Sequence, residues 1–121
     1  MSRKGGLRAS IQRWATQADE EDRELQSTST RSGCRQVREL RDRERCELEG
    51  VLKTVTLRPR GGVPALEAEL YDGTGAVTLI WLGRRRIAGI EPGRAMRVEG
   101  RIGVHDDVRV MFNPRYDLRA S

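Results

Sequence analysis

The chain has 121 residues, of which 36% are hydrophobic and 34% charged, with a formal net charge of +5. That length has room for one domain, and the low apolar share places part of the chain outside its core. No run approaches the roughly 20 apolar residues of a membrane span, and the start lacks the apolar stretch of a secretory signal, so a cytoplasmic protein without a membrane partner is expected.

Residues 1–33 differ from the rest. Leu7, Ile11, Trp14, Ala18 and Leu25 recur at helical spacing with charges between them, among them the run Asp19-Glu20-Glu21-Asp22. The spacing predicts an amphipathic helix over residues 7–25, with a thin apolar stripe suited to docking on the rest of the chain or on a partner protein. Gln26 to Gly33 is polar and aperiodic, and reads as a linker. Val37 and Leu40 follow in a charged lead-in that is placed to cap one end of the folded domain, residues 34–121. Cys34 and Cys46 fit no zinc spacing and are expected as free thiols, in preference to one disulfide.

From Arg45 onward the pattern is that of strands. In Cys46 to Leu57 the apolar phase runs through 46, 48 and 52, then shifts to 55 and 57, which beside Gly50 predicts a bulge or sharp coil. Arg58-Pro59-Arg60-Gly61-Gly62-Val63-Pro64 is a loop. A second strand, Ala65 to Tyr71, alternates Leu66, Ala68 and Leu70 with Glu67, Glu69 and Tyr71. Asp72-Gly73-Thr74-Gly75 is a hairpin turn. The third strand, Ala76 to Leu82, is apolar on both faces. Residues 83–90 are expected to form a turn or two of helix, ended by Glu91-Pro92-Gly93. A fourth strand, Ala95 to about Val104, points Met96, Val98, Gly100, Ile102 and Val104 one way. After the turn His105-Asp106-Asp107, a fifth strand sets Val108, Val110 and Phe112 against Arg109 and Met111.

Three strands, a short helical connector and two more strands is the order of an oligonucleotide/oligosaccharide-binding (OB) barrel. The expected fold is therefore all-β: a five-stranded OB barrel over residues 43–118, with a short helix between strands three and four and an N-terminal helical extension. An SH3-like barrel also fits the strand count, and the connector favours OB.

Gly50-Val51-Leu52-Lys53-Thr54-Val55, then Glu67 through Gly75, Leu79-Ile80-Trp81-Leu82-Gly83 and Ile90-Glu91-Pro92-Gly93 resemble nucleic-acid-binding OB domains of the tRNA-anticodon-binding type. The layout is similar to the wedge OB domain of the RecG branched-DNA helicase. Val55 through Arg60 and Phe112-Asn113-Pro114-Arg115-Tyr116 resemble small stand-alone actinobacterial OB-fold proteins. The resemblance covers about two thirds of the chain and none of its first forty residues. It implies binding of single-stranded or branched nucleic acid; no helicase motor accompanies it.

OB barrels bind on the outer face of strands two and three, flanked by loops. The basic side chains are overwhelmingly arginine, with Lys4 and Lys53 the only lysines. Arginine forks suit phosphate and bases, although high-GC coding produces the same bias. The candidate nucleic-acid-binding residues are Arg58, Arg60, Tyr71, Trp81, Arg84, Arg85, Arg86 and Arg115. Tyr71 and Trp81 are the stacking candidates, with packing against the connector or N-terminal segment as the alternative for Trp81. Arg97, Arg101 and Arg109 are expected to pair with strand carboxylates instead. Glu67 and Glu69 would repel phosphate on the same face. From Cys46 to Ser121 there are 12 basic and 10 acidic residues, so binding should be modest and salt-sensitive.

No catalytic residues, metal ligands, cofactor or small-molecule substrate are indicated. His105 is the only histidine and sits in a solvated turn, no triad is evident, and Gly73-Thr74-Gly75 lacks the lysine and spacing of a Walker loop. A non-catalytic binder is expected, with DNA preferred to RNA by the wedge-domain likeness. The alternative is an adaptor that docks on a repair or replication protein.

Overall fold

The computed structural model describes residues 19–28 and 33–119. Residues 19–28 are helical (α1), and residues 7–18 of the expected helix lie outside the described residues. A 3-10 turn at Val37–Glu39 follows, with Val37 and Leu40 buried at one end of the core. Seven strands come next: β1 Arg45–Leu57, β2 Ala65–Tyr71, β3 Ala76–Leu82, β4 Ala95–Arg101, β5 Gly103–His105, β6 Val108–Phe112 and β7 Arg115–Leu118.

They form one sheet in the order β5-β6-β3-β2-β1-β4-β7. All neighbours are antiparallel except β3 and β6. The expected all-β, OB-like class holds, and the strands form an unclosed seven-stranded sheet where five were expected. The expected fourth strand is two strands, broken at Ile102. The Ile102 amide donates to the Glu44 carbonyl at 2.8 Å, and its carbonyl accepts the Arg43 amide at 2.7 Å. Ile102 stays buried across the break, so the alternation from Met96 through Ile102 holds although the ladder does not.

β1 serves two neighbours, as a long coiled strand must in a small sheet of this type. Its first half pairs with β4 and its second with β2, and Val51 pairs with both Tyr71 and Ala95. Gly50 lies at that handover. A Cβ there would stand 2.4 Å from the Tyr71 carbonyl oxygen, so the corner needs glycine. The register shift falls at Lys53, between Leu52 and Thr54. This bulge is the phase change seen in the sequence.

The expected short helix between the third and fourth strands is absent: residues 83–94 form turns. Gly83, Gly89 and Gly93 take φ of 75°, 83° and 88°, which breaks any run of helical backbone. Ile87 and Ile90 still insert into the core and hold the segment down. The main core joins Leu48, Leu52, Leu70, Leu79, Met96 and Met111 from five strands. Cys34 and Cys46 are buried free thiols. No helix among the described residues is long and apolar enough to cross a membrane.

Candidate functional site

The loop between β1 and β2 is a closed hairpin. Arg60 and Val63 exchange backbone hydrogen bonds of 2.9 and 3.0 Å around Gly61-Gly62, whose φ angles of 56° and 79° such a turn requires. The arginines flanking the turn fold back onto β2. Arg58 Nε lies 3.6 Å from Glu67 Oε2, and Arg60 Nη2 lies 3.6 Å from Glu67 Oε1. One carboxylate shared by two guanidiniums leaves a surplus positive charge. Glu67, which as a free acid would repel phosphate, instead positions two cations.

Arg60 also lies over the Phe112 ring, its guanidinium carbon 5.8 Å from the centroid. Phe112 ends β6 opposite Ile80 on the outer face and is 47% exposed. Leu82, on the same face of β3, is also exposed. Two bonds tie these parts to one end of the sheet. The Gly83 amide donates to the Pro64 carbonyl at 2.7 Å, and the Leu82 amide donates to Asn113 Oδ1 at 2.9 Å. Arg84, Arg85 and Arg86 follow directly, all exposed and in no ion pair among the described residues. The fold therefore brings the Arg58–Arg60 hairpin, the exposed Phe112 ring and the end of β3 from which Arg84–Arg86 leave to one end of the sheet. Further along the face, Thr54, Thr56, Glu67, Glu69 and Thr78 line a shallow depression of about 190 Å³.

The two predicted stacking residues fare differently. Trp81 belongs to the core: it is 5% exposed, and its Nε1–H donates to the Pro114 carbonyl at 3.2 Å. Its ring meets Tyr116 edge-to-face at 5.8 Å. Strand alternation puts Trp81 with Val77 and Leu79, so stacking on a base is corrected to core packing. Tyr71 is on the outer side of β2, but at the far end from the arginines. Its hydroxyl is pushed above its ordinary value by burial, and by the hydrogen bond it shares with Asp22 of α1. Lys53 Nζ sits 5.5 Å from its ring centroid. Arg115 is exposed at the start of β7, where it lines a cavity that Phe112 also borders.

Phe112 was not among the predicted binding residues. Val108, Val110 and Phe112 look like a core-facing series, yet Met111 is the residue fully buried in the main core. The opposite phase is fixed by Arg109, whose guanidinium donates to the Leu40 and Arg38 carbonyls. Those acceptors are distant in sequence, so no local signal reveals the flip. Of the arginines expected to pair across strands, Arg97 does so, with Glu47.

The far end of the face is acidic. α1 carries Asp19, Glu20, Glu21, Asp22 and Glu24 and rests on the β2–β3 turn. Gln26 Nε2 donates to the Gly73 carbonyl at 2.9 Å, and a Cβ on Gly73 would stand 2.4 Å from the Asp22 carbonyl oxygen.

No family model matches the chain, and no curated protein matches it in sequence. Solved structures do match in fold. The structure of RecG bound to a three-way DNA junction aligns with a TM-score of 0.60 and 17% identity, over 72% of this chain and 13% of that one. The p204 HINb domain aligns with a TM-score of 0.60 and 13% identity, over 75% of this chain and 49% of that one. The chain thus spans about an eighth of the RecG chain and half of the HINb chain. The likeness is one of fold, and it puts the chain among OB-like all-β domains.

Proposed function

We propose that the chain is a non-catalytic OB-type module that holds single-stranded or branched DNA at the Arg60–Phe112 end of its outer face. In this view β4 and β5 act together as one bent strand of a five-stranded barrel plan, and β7 is an added edge. The observation that carries the proposal is the exposed Phe112 ring under Arg60, at the end of the sheet from which the exposed Arg84–Arg86 segment leaves. A flat ring gives a base somewhere to stack, and nearby guanidiniums neutralise the phosphates on either side of it. Glu67 supports this by holding Arg58 and Arg60 in place before a ligand arrives. DNA is preferred to RNA because a DNA-junction complex is among the fold's neighbours, which is an argument by analogy.

Titration of a labelled oligonucleotide at two salt concentrations tests the proposal. Binding should weaken steeply with salt and drop in Phe112→Ala and in the combined Arg84→Ala, Arg85→Ala, Arg86→Ala variant. Absence of binding to single-stranded and branched DNA alike would remove it. A second function is favoured by the exposed Leu57, Val63, Leu82 and Phe112 side chains, which would also suit a protein partner. An adaptor of that kind binds its partner with little salt dependence and ignores oligonucleotides.

A further inference from the structure

A cavity of about 620 Å³ opens beside Phe112, between the start of β1, the β4–β5 break and the end of β6. Arg43, Arg45, Arg101 and Arg115 line it, against Asp42 and Glu99. Asp42 Oδ1 accepts the Val104 amide at 2.9 Å, which fixes this carboxylate at the cavity wall. Arg45 and Arg101 are direct partners in the β1–β4 ladder. Like charges placed opposite each other across strands repel, and folds ordinarily relieve this with a carboxylate.

Other arginines of the fold have carboxylate partners. Arg97 has Glu47, Arg119 has Glu49 and Asp117, and Arg58 and Arg60 share Glu67. None of the four arginines of the groove is in an ion pair among the described residues, and all four are exposed. Four guanidiniums against two carboxylates leave the groove with a surplus of positive charge that an anionic ligand can neutralise. Phe112 is a wall of this groove and also the ring beneath Arg60, so the groove continues the surface described above.

We propose that this groove is a second binding surface, a cradle for the sugar-phosphate backbone of the strand that stacks at Phe112. It rests on the proposal that the chain binds nucleic acid, and it extends the footprint from one end of the face to both sides of the ring. Arg45 and Arg101 would hold adjacent phosphates, with Arg115 at the rim. The occupant is a phosphate backbone because the lining is cationic and open, and because an aromatic ring stands at its entrance.

Fluorescence anisotropy with two single-stranded oligonucleotides, of about 5 and about 15 nucleotides, provides the test. In the double variant Arg45→Ser, Arg101→Ser the long strand should bind about tenfold more weakly. Its log–log salt slope should become shallower by about 0.7 for each phosphate that the variant no longer neutralises. The short strand should bind as it does to the unaltered chain. Arg115→Ser, on a different strand, should give a smaller shift of the same kind and serves if the double variant folds poorly. Unchanged affinity and slope for the long strand in both variants would overturn the proposal. So would loss of polyglutamate binding in the double variant with long-strand binding intact, which would assign the groove to an acidic protein. If neither oligonucleotide binds the unaltered chain, the proposed function falls first and the cradle with it. Binding lost in Phe112→Ala but untouched by the groove variants removes the groove alone.

Discussion

Glu67 lies between Arg58 and Arg60, 3.6 Å from each. A residue whose charge opposes anion binding therefore also fixes the position of two guanidiniums. Glu67→Gln removes a charge that repels phosphate but also frees both arginines. Both guanidiniums are open to solvent, which keeps such pairs weak, while the Glu67 side chain is mostly buried, so a small shift of the denaturant midpoint is expected. If pre-organisation matters more than net charge, its oligonucleotide affinity falls; tighter binding would show that the carboxylate acts only as a repulsive charge.

Phe112 and Trp81 should respond in opposite ways. Phe112→Ala removes a half-exposed ring and should cost roughly 1–3 kcal/mol of binding with little loss of stability. Trp81→Ala empties a buried site and strands the Pro114 carbonyl, which should cost about 3–5 kcal/mol of stability. Paired urea and anisotropy titrations separate the two effects.

Asp72 is the only buried charged residue among those described. Its Oδ2 accepts the Val37 amide at 2.8 Å, and its Oδ1 accepts the Thr74 amide at 2.9 Å and the Gly75 amide at 3.2 Å. One side chain thus closes the β2–β3 turn and pins the lead-in segment to it. Asp72→Ala leaves those amides without that acceptor and should destabilise by about 3 kcal/mol. Asp72→Asn keeps one carbonyl oxygen and should cost less, as equilibrium unfolding will show.

Glycines should sort by what surrounds them. Gly50→Ala drives a methyl into the Tyr71 carbonyl, and backbone on both sides has to move, so a loss of about 3 kcal/mol or more is expected. Gly61→Ala meets no atom and carries only the cost of a positive φ, about 1–2 kcal/mol. Thermal midpoints of the two variants check the order.

The Cys46 thiol is pushed up to about 11, first by burial and then by the nearby Glu44 carboxylate. The unfolded chain ionises this thiol near 9.0, so between that pH and about 11 the unfolded state loses a proton that the folded state keeps. Its contribution to stability is therefore complete below pH 9 and is lost as pH rises through that window. Cys46→Ala should flatten the alkaline decline of the urea midpoint. In the native chain at neutral pH, thiol reagents should label Cys46 no faster than the chain opens.

Much was legible in the sequence because it depends on local chemistry. Alternation along Ala65–Tyr71 and Ala76–Leu82, the Asp72-Gly73 turn and the phase shift in β1 each follow from neighbours a few residues away, and each stands in the structure. Arg58, Arg60 and the Arg84–Arg86 run were visible as charge. What only the tertiary structure decided is which side faces out and what lies near what. Arg109 reaches back to the Leu40 carbonyl and turns β6 over, exposing Phe112 and burying Met111. Trp81 finds the Pro114 carbonyl and goes inside. Three positive-φ glycines cancel the expected connector helix. Arg45 and Arg101 become neighbours only when β1 and β4 pair. Spacing along a chain fixes periodicity, whereas facing and proximity depend on partners tens of residues away, which no local pattern encodes.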